Sequence, residues 1–181
     1  MAIRNFNGMT PRIAPSAYVD ETALVIGDVS ISEDASLWPM TVARGDVHCI
    51  TIGARSNIQD GSVLHVTQDN AFNPGGFALT IGADVTVGHG AILHACTIED
   101  LVLVGMGATV LDGALVHSRA MIGAGALVPP GKVLESGYLY LGSPAKQARR
   151  LSDKELAYLD FSARHYVALK DQHRNDGGNG Q

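Results

Sequence analysis

A six-residue beat runs through this chain and leaves it few folds to choose from. Aliphatic anchors stand at Ile13, Val19, Val25, Ile31 and Leu37, then at Ile52, Ile58 and Leu64, then at Ile81, Val87 and Leu93. The series continues through Ile98, Val104, Val110, Val116, Ile122 and Val128. Four places after most anchors comes a small residue, such as Ala17, Ala35, Ser62, Ala91, Ala108 or Ala126, and Gly often follows an anchor directly, as in Ile52-Gly53 and Val104-Gly105. This period matches neither an amphipathic helix nor an alternating strand. It is the period of hexapeptide repeats, in which three short strands and three turns make one triangular coil. The expected fold is all-β, a left-handed parallel β-helix shaped as a triangular prism, with a C-terminal α-helix. The anchors point inward and the small residues fit the crowded corners.

Breaks in the beat locate insertions. Between Leu64 and Ile81 the extra segment VTQDNAFNPGGFALT, 66–80, carries Pro74, Gly75 and Gly76 and reads as a loop pushed out of a coil. A second irregularity lies between Leu37 and Ile52, and one residue is missing between Leu93 and Ile98. After Val128, Pro129 and Pro130 are expected to end the register, with the β-helix unit occupying 1–150. Ser152 with Glu155 forms a capping box that opens a helix over 151–174, and Leu156, Leu159, Ala163, Tyr166, Val167 and Lys170 share one face of it. Such a helix would lie along the prism or across a neighbouring subunit. The Gly- and Asn-rich tail, 175–181, is expected to be disordered.

A net charge of −5 without a basic run argues against nucleic acid as a partner. No apolar run approaches the ~20 residues of a membrane span, and the N-terminus lacks a signal-peptide core, so the expectation is a cytoplasmic chain with no membrane partner. Two cysteines, Cys49 and Cys96, make no disulfide framework and read as small apolar fillers. Trp38 reads as a packing residue.

Counting coils places the histidines. Three hexads separate Leu64 from Leu93 once the loop is set aside, so His65 and His94, each one place after its anchor, stack in adjacent coils about 4.7–4.9 Å apart. That spacing lets two imidazoles converge on one zinc ion. His89 lies one face earlier, five residues before His94, with a prism corner between. It can complete a three-histidine site if it comes from an adjacent chain. A homotrimer would then generate equal sites at its subunit interfaces. The same count stacks Asp60 under His89, with Asn57 and Gln59 beside it, and Arg44 and Asp46 in the irregular segment are candidates for an interface ion pair. His48, His117, His165 and His173 read as surface residues.

Arg44-Gly45-Asp46, Asn57-Ile58-Gln59-Asp60-Gly61 with His65, and Val87-Gly88-His89 with Leu93-His94 together resemble the γ-class carbonic anhydrase family, in its bacterial branch of YrdA- and PaaY-like proteins. The resemblance covers nearly the whole chain. It implies a homotrimer that hydrates carbon dioxide to bicarbonate. Metal would be held by His65, His89 and His94: zinc, or iron or cobalt on the same ligands. By the same resemblance Gln59 would hydrogen-bond the nucleophile or product, and Asn57 would orient Gln59. Asp60 and Arg44 would fix the surrounding network, Arg44 and Asp46 would sit at the interface, and Tyr166 loosely matches a family position near the metal. The archaeal type member's acidic loop residues have no full counterpart, since Val47 follows Asp46 and the 66–80 loop offers only Asp69. Gly142-Ser143-Pro144-Ala145-Lys146 resembles an element near the coenzyme A site of hexapeptide acyltransferases, which keeps acyl-CoA thioesterase or transferase chemistry as an alternative. A non-catalytic metal-binding trimeric scaffold is a further one.

Overall fold

The computed structural model describes residues 2–177. They form a parallel β-solenoid of about eight turns with one C-terminal helix. Three sheet faces enclose the core. The first stacks Ala2–Arg4, residues 24–27, residues 42–45, Val63–His65, Ile92–His94, Thr109–Val110 and Leu127–Val128. The second stacks Arg12–Ile13, residues 29–31, residues 50–52, Leu79–Ile81, Thr97–Ile98, Leu115–Val116 and Val133–Leu134. The third runs from Tyr18–Val19 through Ser36–Leu37, Asn57–Ile58, Thr86–Val87, Leu103–Val104 and Met121–Ile122 to Tyr138–Leu141. The long strands Leu24–Ile31 and Val42–Ile52 turn the corner between the first two faces without a break.

Each ladder repeats one kind of side chain. On the first face Val25, Ala43, Leu64, Leu93, Val110 and Val128 are all 0% exposed, and the ladder from Leu37 through Ile58, Val87 and Val104 to Ile122 is as fully buried. Burying a large aliphatic side chain contributes roughly 1.5–3 kcal/mol, so the beat is what holds the prism together.

The register does not end at Val128. Leu134 and Tyr140, six and twelve residues on, continue the second and third ladders, with Leu134 at 0% exposure and Tyr140 at 3%. Pro129 and Pro130 occupy a corner, where neither ladder needs an N–H from them. Only then does the chain reverse, through residues 142–145, into the antiparallel strand Lys146–Arg150. The inserted loop spans residues 66–78, because Leu79 and Thr80 already pair with Ile50 and Thr51. The earlier irregularity is a corner excursion: Gly27 pairs with Gly45 but Val29 pairs with Ile50, two residues on one strand against five on the next. A Cβ on Gly45 would stand 2.5 Å from the Asp28 carbonyl oxygen, so the close approach of the two strands requires glycine between Arg44 and Asp46.

The helix is Asp153–Gly177 and starts with the expected box: Ser152 N–H donates to Glu155 Oε2 at 2.8 Å and Glu155 N–H donates to Ser152 Oγ at 3.3 Å. It extends past the expected limit of 174, so 175–177 are helical, and 178–181 lie outside the described residues. It runs down the third face of its own prism toward the first coil. Trp38, 5% exposed, meets the Tyr166 and His173 rings at 5.6 and 5.0 Å. Lys170, 1% exposed, reaches Asp34 at 3.0 Å and Asp171 at 2.6 Å. Arg174 donates to the Ser16 carbonyl at 2.9 Å. His173 is exposed, as expected, and one side of its ring also joins the docking contact. Among the described residues no helix is long and apolar enough to cross a membrane.

Candidate metal centre

His65 and His94 are register partners on the first face. Their rings approach so that His65 Nδ1 stands 3.0 Å from His94 Nε2. Each outer nitrogen is held by a carboxylate. His65 Nε2–H donates to Asp46 Oδ1 at 3.0 Å, and His94 Nδ1–H donates to Asp112 Oδ1 at 2.6 Å. Carboxylates only accept, so these contacts place the protons on the outer nitrogens and aim a lone pair from each ring at the other. Two facing lone pairs at 3.0 Å repel unless a cation lies between them, either a shared proton or a metal ion. Two nitrogens on one tetrahedral zinc at ~2.0–2.1 Å would stand about 3.3 Å apart, so the pair needs to open by only a few tenths of an ångström. The donor set fits such an ion.

The electrostatics favour the neutral, ligating form of His65. Burial pushes its pKa down and the Arg44 charge adds to this, against the pull of Asp46. Burial would raise the Asp46 carboxyl, but hydrogen bonds from Arg44 and His65 outweigh it and hold the pKa below the usual carboxylate range. Asp112 is lowered in the same way, burial opposing and the Thr67 hydroxyl and His94 prevailing. Arg44 pairs with Asp46 inside the chain, so this ion pair acts directly on the orientation of His65. Asp112 was not read from the sequence. The coil count sets Leu111 on His94, and the shortened corner at Ala95 brings the next residue to the ring instead, so no fixed spacing pointed to Asp112.

His89 ends the third face at its corner with the first, followed by Gly90 in the left-handed region at φ +65°. His89 and His94 thus bound the two edges of one first-face segment, and among the described residues no three His, Cys, Asp or Glu side chains of the chain gather into a metal-holding group. Asp60 stacks beneath as counted: His89 Nδ1–H donates to Asp60 Oδ2 at 2.8 Å, which leaves Nε2 free. All three histidines therefore share the carboxylate-backed arrangement common to metal-ligating imidazoles.

Beside His89 a cavity of about 320 Å³ opens between the helix and the third face, lined in part by Gln59, Thr86, Ser162 and Tyr166. Gln59 Nε2–H donates to Asn57 Oδ1 at 3.1 Å, and Asn57 Nδ2–H donates to Thr86 Oγ1 at 3.1 Å. Tyr166 both packs on Trp38 and lines the cavity; burial raises its pKa, with the Asp60 charge adding. Thr86 and Ser162 were not singled out in the sequence. Asp69 turns into its own loop, accepting the Gly75 N–H at 2.8 Å. His117 pairs with Glu99 at 3.1 Å, away from the other histidines. Cys96 is buried, which pushes its thiol up to about 12.

Solenoid and site together define a hexapeptide-repeat protein with a carboxylate-backed histidine pair on one face. The chain belongs to the YrdA family of γ-carbonic-anhydrase-like proteins. It is 55% identical over 179 residues to Protein YrdA of Escherichia coli K12, covering 99% of this chain and 97% of that one. Gamma carbonic anhydrase 2, mitochondrial, of Arabidopsis thaliana is 41% identical over 174 residues, covering 96% of this chain and 62% of that longer protein. Among solved structures, a putative acetyltransferase of Bacillus cereus superposes with a TM-score of 0.90 at 37% identity, covering 96% and 97% of the two chains. A hexapeptide transferase family protein of Anaplasma phagocytophilum gives 0.88 at 39%, covering 94% and 97%. No protein-family model matches the chain.

Proposed function

We propose that the chain assembles as a homotrimer that hydrates carbon dioxide to bicarbonate at metal sites shared between subunits, with His65 and His94 from one subunit and the partner subunit's His89. The observation that carries this is the pair of facing imidazole nitrogens 3.0 Å apart, each ring fixed from behind by a carboxylate. Exposed aliphatic residues beside it support association: Val63 and Ile92, 39% and 43% exposed, share the strands of His65 and His94, and Met106 at 59% lines the His89 cavity. A bound zinc, or iron or cobalt on the same ligands, would supply a water that ionises near neutral pH.

The chain's own residues then orient the reaction. Asp46, Asp60 and Asp112 hold the three imidazoles in the ligating tautomer, and Arg44 keeps Asp46 charged and in place. Gln59, with its amide N–H committed to Asn57, offers Oε1 as an acceptor to the O–H of the nucleophile. The apolar wall of Leu103, Val104 and Ala124 suits a small uncharged substrate. Stopped-flow hydration assays on zinc-loaded and anaerobically iron-loaded protein test the reading, and inactivity of both forms overturns it. A second reading, acyl-CoA chemistry, is favoured by the transferase descriptions of the two solved relatives and by the Gly142–Lys146 turn. Turnover of acyl-CoA that survives loss of His65 and His94 would select it.

A further inference from the structure

The cavity beside His89 is bordered on one side by the helix, and the helix contributes one polar group to a buried relay. Gln59, Asn57, Thr86 and Ser162 are 5%, 0%, 6% and 4% exposed. Their side chains form one line: Gln59 Nε2 to Asn57 Oδ1 at 3.1 Å, Asn57 Nδ2 to Thr86 Oγ1 at 3.1 Å, and Thr86 Oγ1 to Ser162 Oγ at 2.9 Å. From these contacts we infer that Ser162, acting through Thr86 and Asn57, is a positioning residue that helps the Val85 carbonyl hold the Gln59 amide with one face toward the cavity.

The direction of the line follows from what each group can do. Asn57 Nδ2 also faces the Val85 carbonyl at 3.4 Å, and a carbonyl can only accept. That end of Asn57 is therefore the NH2, and its Oδ1 faces Gln59. Gln59 must answer with its own NH2, which sends Oε1 to the cavity side. Thr86 Oγ1 accepts from Asn57, and its contact with Ser162 Oγ at 2.9 Å, in which either hydroxyl can be the donor, holds that acceptor in place. An amide turned by 180° has nearly the same shape, so packing cannot tell the two orientations apart and only hydrogen bonds can. The turned amide would offer N–H to a nucleophile whose proton needs an acceptor.

Ser162 is held in place by contacts elsewhere on the helix, at Trp38, Asp34 and Ser16. Docking of the helix thereby reaches the chemistry of the cavity. The relay itself does not depend on the proposed hydration, although its expected effect on rate rests on that reading.

The test uses Thr86→Val, which keeps shape and removes the hydroxyl, and Ser162→Ala, with Thr86→Ser and Ser162→Thr as rescues. Protein labelled with 15N-glutamine reports the Gln59 side-chain amide directly. In Thr86→Val its resonances move and its protons exchange at least about tenfold faster, in Ser162→Ala the change is smaller, and both rescues restore the original spectrum. Zinc content stays the same in all four, while kcat for hydration falls about tenfold in Thr86→Val with little change in KM. Unaltered Gln59 resonances and exchange in folded Thr86→Val overturn the relay. If Thr86→Val does not fold, the Ser162→Ala and Ser162→Thr pair decides by the same spectra. Spectral changes in a protein that hydrates nothing uphold the relay and refute the proposed reaction.

Discussion

Asp112 is the residue whose removal most cleanly separates the proposed metal binding from folding. Its carboxylate takes the His94 Nδ1–H at 2.6 Å and the Thr67 hydroxyl, and its side chain is 31% exposed. A hydrogen bond to a charged partner is worth about 1.5–3 kcal/mol, and partial exposure puts this one toward the lower end. Loss of a group that orients a metal-binding imidazole costs about 10–100-fold in affinity, or about 1.4–2.8 kcal/mol, and the two routes agree. Asp112→Ala should therefore weaken zinc binding by about 10–100-fold, measured by competition with a fluorescent chelator on metal-free protein. Asp112→Asn keeps the acceptor and loses the charge, and should fall between it and the wild type. Thr67→Val removes the other partner and leaves the His94 contact, so its affinity should stay near wild type. His117→Ala, at a histidine paired with Glu99, should change nothing. Folded Asp112→Ala binding zinc within about twofold of wild type would refute the claim that the rear carboxylate orients His94.

Gly45→Ala should push apart the strands that place Asp46, because its Cβ would stand 2.5 Å from the Asp28 carbonyl oxygen. Zinc affinity should fall along with the melting temperature, and a variant with both unchanged would contradict the geometry. Lys170→Ala strands Asp34 and Asp171 and removes a buried stem. With both partners well exposed the loss should be about 1–3 kcal/mol in urea unfolding, and a loss below about 0.5 kcal/mol would show that the helix does not lean on this pair. Asp46 and Asp112 both titrate below their ordinary value of 3.8. The stability they contribute is complete above that value and vanishes as pH falls through their lower folded values. Metal-free protein should therefore lose melting temperature through these groups only below about pH 4, with a shallower loss in Asp46→Asn and Asp112→Asn. A loss confined to pH 5–7 that these variants abolish would contradict the assignment.

The ladders were legible because one residue in six must be aliphatic for the prism to close, and the same count stacked His65 on His94 and Asp60 on His89. Counting failed where the chain leaves its period. Pro129 and Pro130 look like a stop, yet proline at a corner gives up no ladder hydrogen bond, so Leu134 and Tyr140 carry the stack on. The short corner at Ala95 and the excursion after Gly45 move Asp112 and Asp46 onto histidines that no fixed spacing predicts. Thr86 and Ser162 are 76 residues apart and meet only because the helix docks on the third face at one register. That register depends on ring packing at Trp38 and on Lys170, which read in the sequence merely as one member of a helix face.

The proposed sharing of each site between subunits is tested most directly by mixing two defective chains. One carries His65→Ala with His94→Ala, and the other carries His89→Ala. Neither should retain zinc alone. In trimers reassembled from equal amounts, every mixed ring has one interface where intact His65 and His94 meet the partner's His89, and random assembly should return about a quarter of the wild-type zinc. No recovery of zinc on mixing, or full zinc in either chain by itself, would contradict a site built across the interface.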